Sequence, residues 1–193
     1  MKINKIIALV LLICITFVSC KQQQARMPVS RSSGTFMKES IVRNKKLIAG
    51  EEAQIDSIIK SNPSVKYYAS KKGYWFYYEI RNENDTLRPK KGDIAYFDYN
   101  VQDFKGNIIY SEIQTRPQVY KVDKQNIMMG LRDGIKLMRK NEKVVFLFPS
   151  HMAYGYHGDE KHIGTNEPLI CTVTLNDFKP ESKTTPQTII KNE

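Results

Sequence analysis

Apolar positions along this chain change their period several times, and each change marks an element. Between residues 37 and 59, Ile41, Ile48 and Ile55 recur every seven residues and Ile58-Ile59 extend the stripe, which predicts a helical extension over residues 36–63, closed by Ser61-Asn62-Pro63. Lys45 and Glu52 interrupt the stripe and Gly50 weakens it, so docking on the chain's own domain, or partial order, is favoured over a dimerisation or partner helix. The aromatic run 74–80 predicts a strand. A polar loop, 82–91, precedes a second strand, 93–101, with Ala95, Phe97, Tyr99 and Val101 on one face. Residues 103–107 form a turn, 108–110 return as its partner, and Tyr120 and Val122 lie on a connection to residues 127–156. There Leu131, Ile135 and Met138 share one helical face, and Gly134 inside that helix implies a bulky neighbour. The unbroken run 144–148 predicts a strand covered on both faces and stopped by Pro149. Leu169, Cys171, Val173 and Leu175 alternate with wetter positions as a last strand, and a polar tail follows over 179–193. One short helix among about five strands, without strand–helix alternation, predicts an α+β fold, an antiparallel sheet wrapped on the helix over residues 70–178.

The first 19 residues change the picture of location. Lys2 and Lys5 precede an apolar stretch, 6–18, too short for the ~20 residues that span a bilayer, so residues 1–19 read as an export signal. It ends Phe17-Val18-Ser19-Cys20, which resembles a bacterial lipobox and makes Cys20 the expected lipid-attachment site. Acyl chains there would anchor the chain in a membrane of the cell envelope, inner or outer, facing the periplasm. The polar stretch to residue 35 reads as a flexible tether of about 20 Å. Of three cysteines, Cys14 falls in the leader and Cys171 among core positions, which argues against a structural disulfide. The net charge of +10 is scattered, with no basic run longer than two, and reads as solvated surface. Nucleic acid also conflicts with export.

The order Gly130-x-x-x-Gly134-Ile135-x-x-Met138, a strand, then Pro149-x-x-x-Ala153-Tyr154-Gly155, joined to residues 90–111 (KKGDIAYFDYNVQDFKGNIIYS), resembles the FKBP-type peptidyl-prolyl isomerases over about residues 70–178. The lipoprotein leader before this domain looks most like the gliding-motility-associated isomerase-like lipoproteins of Bacteroidetes. The resemblance implies a fold of FKBP type and an aromatic bowl that turns X–Pro bonds, with no cofactor and no metal. Tyr99 and Tyr154 would be the catalytic pair, Tyr154 holding a substrate carbonyl. Ile109 and Tyr120 would form walls, Ile127 and Met128 the rim, Leu131 the floor, Ile163 the flap, and Cys171 the place of a ring. Tyr110 replaces an aspartate that polarises the family's pocket, Leu131 and Cys171 are smaller than the usual rings, and the flap 163–166 lacks a double proline. On this reading Tyr110→Asp raises activity. Expected partners are proline-containing exported polypeptides and an envelope protein complex, the second reading being a non-catalytic binding module or chaperone. His151, His157, His162 and the pair Asp159-Glu160 read as solvated loop residues.

Overall fold

A computed structural model describes residues 33–115 and 117–181. The export signal, Cys20 and the tether to residue 32 lie outside the described residues, as does the tail beyond 181. Two compact units are present. Met1–Ser40 contributes the start of one helix, and Ile41–Glu193 holds the sheet and everything discussed below. No helix among the described residues is long and apolar enough to cross a membrane.

Helix α1 spans Ser33–Ser61, so it begins inside the stretch read as tether. It stops where Ser61 Oγ and Asn62 Nδ2 donate to the carbonyls of Ser57 and Ile58 (2.8 and 3.0 Å), satisfying acceptors that helix ends leave open, with Pro63 next in the chain. The seven-residue stripe is used unevenly. Ile55 is fully buried, Ile48 is half-buried, and Ile41 is exposed. The helix therefore docks on its own domain through its C-terminal half.

Among the described residues seven antiparallel strands form one sheet: β1 (Tyr68–Ala69), β2 (Trp75–Ile80), β3 (Ile94–Asp103), β4 (Ile108–Tyr110), β5 (Gln118–Lys121), β6 (Glu142–Phe148) and β7 (Leu169–Lys179). Their order is β1-β2-β6-β7-β3-β4, with β5 also on β3. The count exceeds the expected five because β1 and β5 are too short to show an alternation. β1 exists because Gly73, at φ +83°, closes a hairpin in which Ser70 N–H reaches the Tyr74 carbonyl (2.8 Å). β7 runs into the stretch read as tail, where Lys121 meets Glu181 at 2.5 Å.

Helix α2 is the single turn Glu112–Thr115, and helix α3 is Met129–Gly134, tightening to a 3₁₀ turn at Ile135–Leu137. Leu131, Ile135 and Met138 are all buried on the predicted face. A Cβ on Gly130 would lie 2.4 Å from the Phe148 ring, and one on Gly134 2.8 Å from the Phe146 ring. Those rings, two residues apart on β6, stack in parallel with centroids 5.3 Å apart. This is the bulky neighbour that Gly134 implied: two glycines let the helix lie directly on two rings. β6 is covered on both sides as expected. Val144, Phe146 and Phe148 join the core, while Val145 and Leu147 share a recess on the other face with Ile58 of α1 and Tyr77.

Candidate functional site

A cavity of about 520 Å³ opens where β3, β5, the start of α3 and the loop after β6 converge. Phe97 and Tyr99 supply its β3 wall because successive inward positions of a strand are two residues apart. Ile127, Met128 and Leu131 supply the opposite side. Met128 precedes the first residue of α3 with no side-chain cap, and the N–H groups that open a helix lack intrahelical acceptors. Ala153 and Tyr154 close a third side, and Gln118, Asn126, Met129 and Arg132 complete the lining.

Tyr154 is positioned by a tight turn. The strand stops at Pro149, the 3₁₀ turn Ser150–Met152 follows, and the Ser150 carbonyl accepts the N–H groups of Ala153 (3.0 Å) and Gly155 (2.8 Å), on either side of Tyr154. Burial pushes the Tyr154 phenol well above its usual range, with Tyr99, Cys171, Asp159 and Tyr110 raising it further. Burial also raises Tyr99, and it raises the thiol of the fully buried, free Cys171. The pocket phenols therefore stay protonated, as donors, through the neutral range.

Five of the nine residues expected from sequence to bind substrate or catalyse lie on this cavity: Tyr99, Tyr154, Ile127, Met128 and Leu131. The other four do not line it. Tyr120 is 1% exposed, because its place opposite Ala95 points it into the core. Its hydroxyl accepts the Asp123 N–H (2.9 Å), making it a post for the turn after β5 rather than a wall. Cys171 and Ile163 are likewise core residues, and Ile109 on β4 is half-buried against the core. Phe97 and Ala153, which sequence reasoning passed over, sit two and one positions from the expected tyrosines. The polar rim of Gln118, Asn126 and Arg132 carries no pattern that would have revealed it.

The stretch read as a wet turn at Asp159-Glu160 is the organising point of the flap. Asp159 Oδ1 accepts the N–H groups of Lys161, His162 and Ile163 at 3.0, 2.9 and 2.7 Å. Its Oδ2 accepts the hydroxyl of Tyr110. Gly158, at φ +66°, has no room for a side chain, since a Cβ would sit 2.3 Å from the Ile163 carbonyl oxygen. Partial burial works against the Asp159 charge, but the Tyr110 hydroxyl and three backbone donors hold its pKa at about 2, below the usual 3.8. The same bond is the main reason Tyr110 is pushed up to about 12. Asp159 therefore adds stability that is complete above about pH 4 and lost as pH falls toward 2; Tyr110 adds stability below pH 10 that is lost as pH rises through 12.

This bond reverses the expectation for Tyr110→Asp. The substitution removes the donor and sets a second carboxylate near the first, so the flap loosens and activity falls. Limited proteolysis should show faster cleavage within 156–167 in Tyr110→Asp, and a smaller increase in Tyr110→Phe, which loses the bond without adding charge.

The described residues include no group of three or more His, Cys, Asp and Glu side chains gathered as for a metal. His151, His157 and His162 are exposed, His162 edge-on to Tyr110 with centroids 5.5 Å apart.

Comparison with known proteins agrees with this geometry. A family model described as FKBP-type peptidyl-prolyl cis-trans isomerase matches residues 85–176. A probable FKBP-type peptidyl-prolyl cis-trans isomerase of Haemophilus influenzae is 25% identical over 150 residues, covering 72% of this chain and 61% of the relative. A probable isomerase of the same type named FkpA, from Neisseria meningitidis, is 25% identical over 99 residues, covering 51% of this chain and 36% of the relative. This chain thus spans less than two thirds of the length of either. Among solved structures, FkpA of Escherichia coli superimposes with a TM-score of 0.57 at 22% identity, covering 81% of this chain and 76% of that one. The isomerase of Pseudomonas syringae pv. tomato gives 0.56 at 20% identity, covering 70% and 95%. These two likenesses concern the fold. Residues 85–176 form a domain of the FKBP-type peptidyl-prolyl cis-trans isomerase family.

Proposed function

We propose that this protein catalyses cis–trans rotation about X–Pro bonds of exported polypeptides while held at a membrane of the cell envelope. The observation that carries the reading is the cavity between β3 and α3, apolar on its walls and furnished with the protonated hydroxyls of Tyr99 and Tyr154. Rotation is opposed by amide resonance, a barrier of about 18–20 kcal/mol. A planar amide is charge-separated, whereas a twisted one is not, so a site poor in water favours the twisted form. The ring and aliphatic walls receive the proline, and the Tyr154 hydroxyl donates to a neighbouring substrate carbonyl, with the Met128 N–H available to another. Catalysis is then tighter binding of the twisted state, each 1.36 kcal/mol giving about tenfold in rate. No proton is transferred.

Because burial raises Tyr99, Tyr154 and Cys171 alike, none ionises near neutrality, and kcat/KM should be flat between about pH 7 and 9. A proline tetrapeptide assay across that range checks this. A sigmoidal profile, with the protein folded throughout, would require a titrating group in the turnover step.

The leader and lipobox-like Ser19-Cys20 support anchoring, and palmitate labelling lost in Cys20→Ala tests it. Folding of exported clients would suit that location, and the place of gliding-motility machinery among them rests on the resemblance alone; both are tested by comparing outer-surface proteins with and without this chain. A second reading, an isomerase-shaped binding module, is motivated by Tyr110, Leu131 and Cys171, each a departure from what the family resemblance implies, of which Leu131 lies on the cavity. A tight peptide complex without turnover would establish it.

A further inference from the structure

We propose that Glu51, on helix α1 and outside the segment the family model matches, is a positioning residue for Tyr154. Its side chain is 3% exposed, and its Oε2 accepts the Ser150 N–H at 2.9 Å, across 99 positions of sequence. Ser150 opens the turn that carries Tyr154. Its N–H is the first donor after β6, because Pro149 has none, and it is buried, so leaving it unpaired disfavours the turn. Its carbonyl holds the N–H groups of Ala153 and Gly155. One residue thus receives the α1 carboxylate on one peptide group and holds both neighbours of the tyrosine on the other.

The tie is a point contact. Leu47 and Ile48 of α1 and Ser150 and Gly155 of the turn line a second cavity, of about 550 Å³, beside it. The turn is packed into the core through Met152 and Ala153; on the α1 side, across that gap, the Glu51 carboxylate is its hydrogen-bonded tie. The other oxygen, Oε1, is buried with no partner among the described residues. The extension accordingly belongs to the working site, and the pocket tyrosine is held from a helix that precedes the domain.

This inference rests on the isomerase reading for its effect on rate but not for its effect on geometry, and the test separates the two. Full-length protein with ¹³C-labelled tyrosine rings is compared as wild type, Glu51→Met and Glu51→Gln, with Tyr154→Phe assigning the Tyr154 resonance. Glu51→Met keeps the volume and removes the acceptor. It should shift or broaden the Tyr154 signal while Glu51→Gln restores it. In the peptide assay Glu51→Met should lower kcat/KM roughly 3–10-fold, and by less than twofold when Tyr154 is already alanine, since coupled residues are non-additive. Thermal unfolding fixes a temperature at which every variant is folded; if Glu51→Met folds at none, Glu51→Asp, one methylene short of Ser150, takes its place. An unmoved Tyr154 signal, or equal losses in both backgrounds, overturns the proposal. A wild type without turnover overturns the isomerase reading alone, and the ring signals then decide the positioning claim by themselves.

Discussion

Gly130→Ala destabilises the protein by about 1–3 kcal/mol, the range for overpacking a filled core, although alanine is the better helix former by about 1 kcal/mol. The added methyl group lands 2.4 Å from the Phe148 ring, which is fully buried and cannot swing away, being stacked on Phe146 and 5.3 Å, centroid to centroid, from Tyr74. Phe148→Ala alone costs about 3–5 kcal/mol through the cavity it leaves. The informative case is the double variant. With the ring gone the methyl group enters empty space, so Gly130→Ala becomes neutral or mildly stabilising in that background. Urea unfolding of all four proteins measures the coupling. Additive costs would mean that the glycine serves some need other than close approach of the ring.

The second large effect is on turnover. Tyr154→Ala should lower kcat/KM on the order of 100-fold, from one lost hydrogen bond of about 0.5–1.5 kcal/mol and the ring burial lost with it. Tyr154→Phe removes only the hydroxyl and should lower it roughly 2–10-fold by the same bond energy. The ratio of the two separates the donor from the wall. Tyr154→Phe should melt close to wild type and Tyr154→Ala somewhat lower, because the half-buried ring packs against the core at the edge of the cavity. Loss of activity that follows loss of folded protein would remove Tyr154 from the chemistry.

How far these residues were readable depends on what each one answers to. The alternation Ala95-Phe97-Tyr99-Val101 and the run 144–148 report burial, which is local and periodic, and both strands form where the pattern placed them. The glycines at 130 and 134 reported a close approach, and the partner could be recognised as bulky though not named. Tyr120 shows the limit. An aromatic on a short strand reads equally as core or wall, and only the register opposite Ala95 decides for core. Asp159 shows another. The four hydrogen bonds of its side chain, three to the backbone just after it and one to Tyr110 on β4, depend on a loop conformation that no periodicity encodes. Glu51 is the extreme case, a charged residue beside a broken heptad whose meaning lies 99 positions away. The departures at Tyr110 and Asp159 belong together: the residue that stands in place of the family's aspartate is tied to a carboxylate brought in by the flap.

On the proposed function, a hollow walled by Tyr99, Tyr154 and aliphatic side chains turns prolyl bonds without a titrating group. Relaxation of a cis-enriched proline tetrapeptide, followed with folded full-length protein at micromolar concentration, tests that directly. Acceleration above the uncatalysed rate, reduced in Tyr154→Phe and unchanged by chelators, is the predicted result. A relaxation rate equal to the uncatalysed one would contradict it.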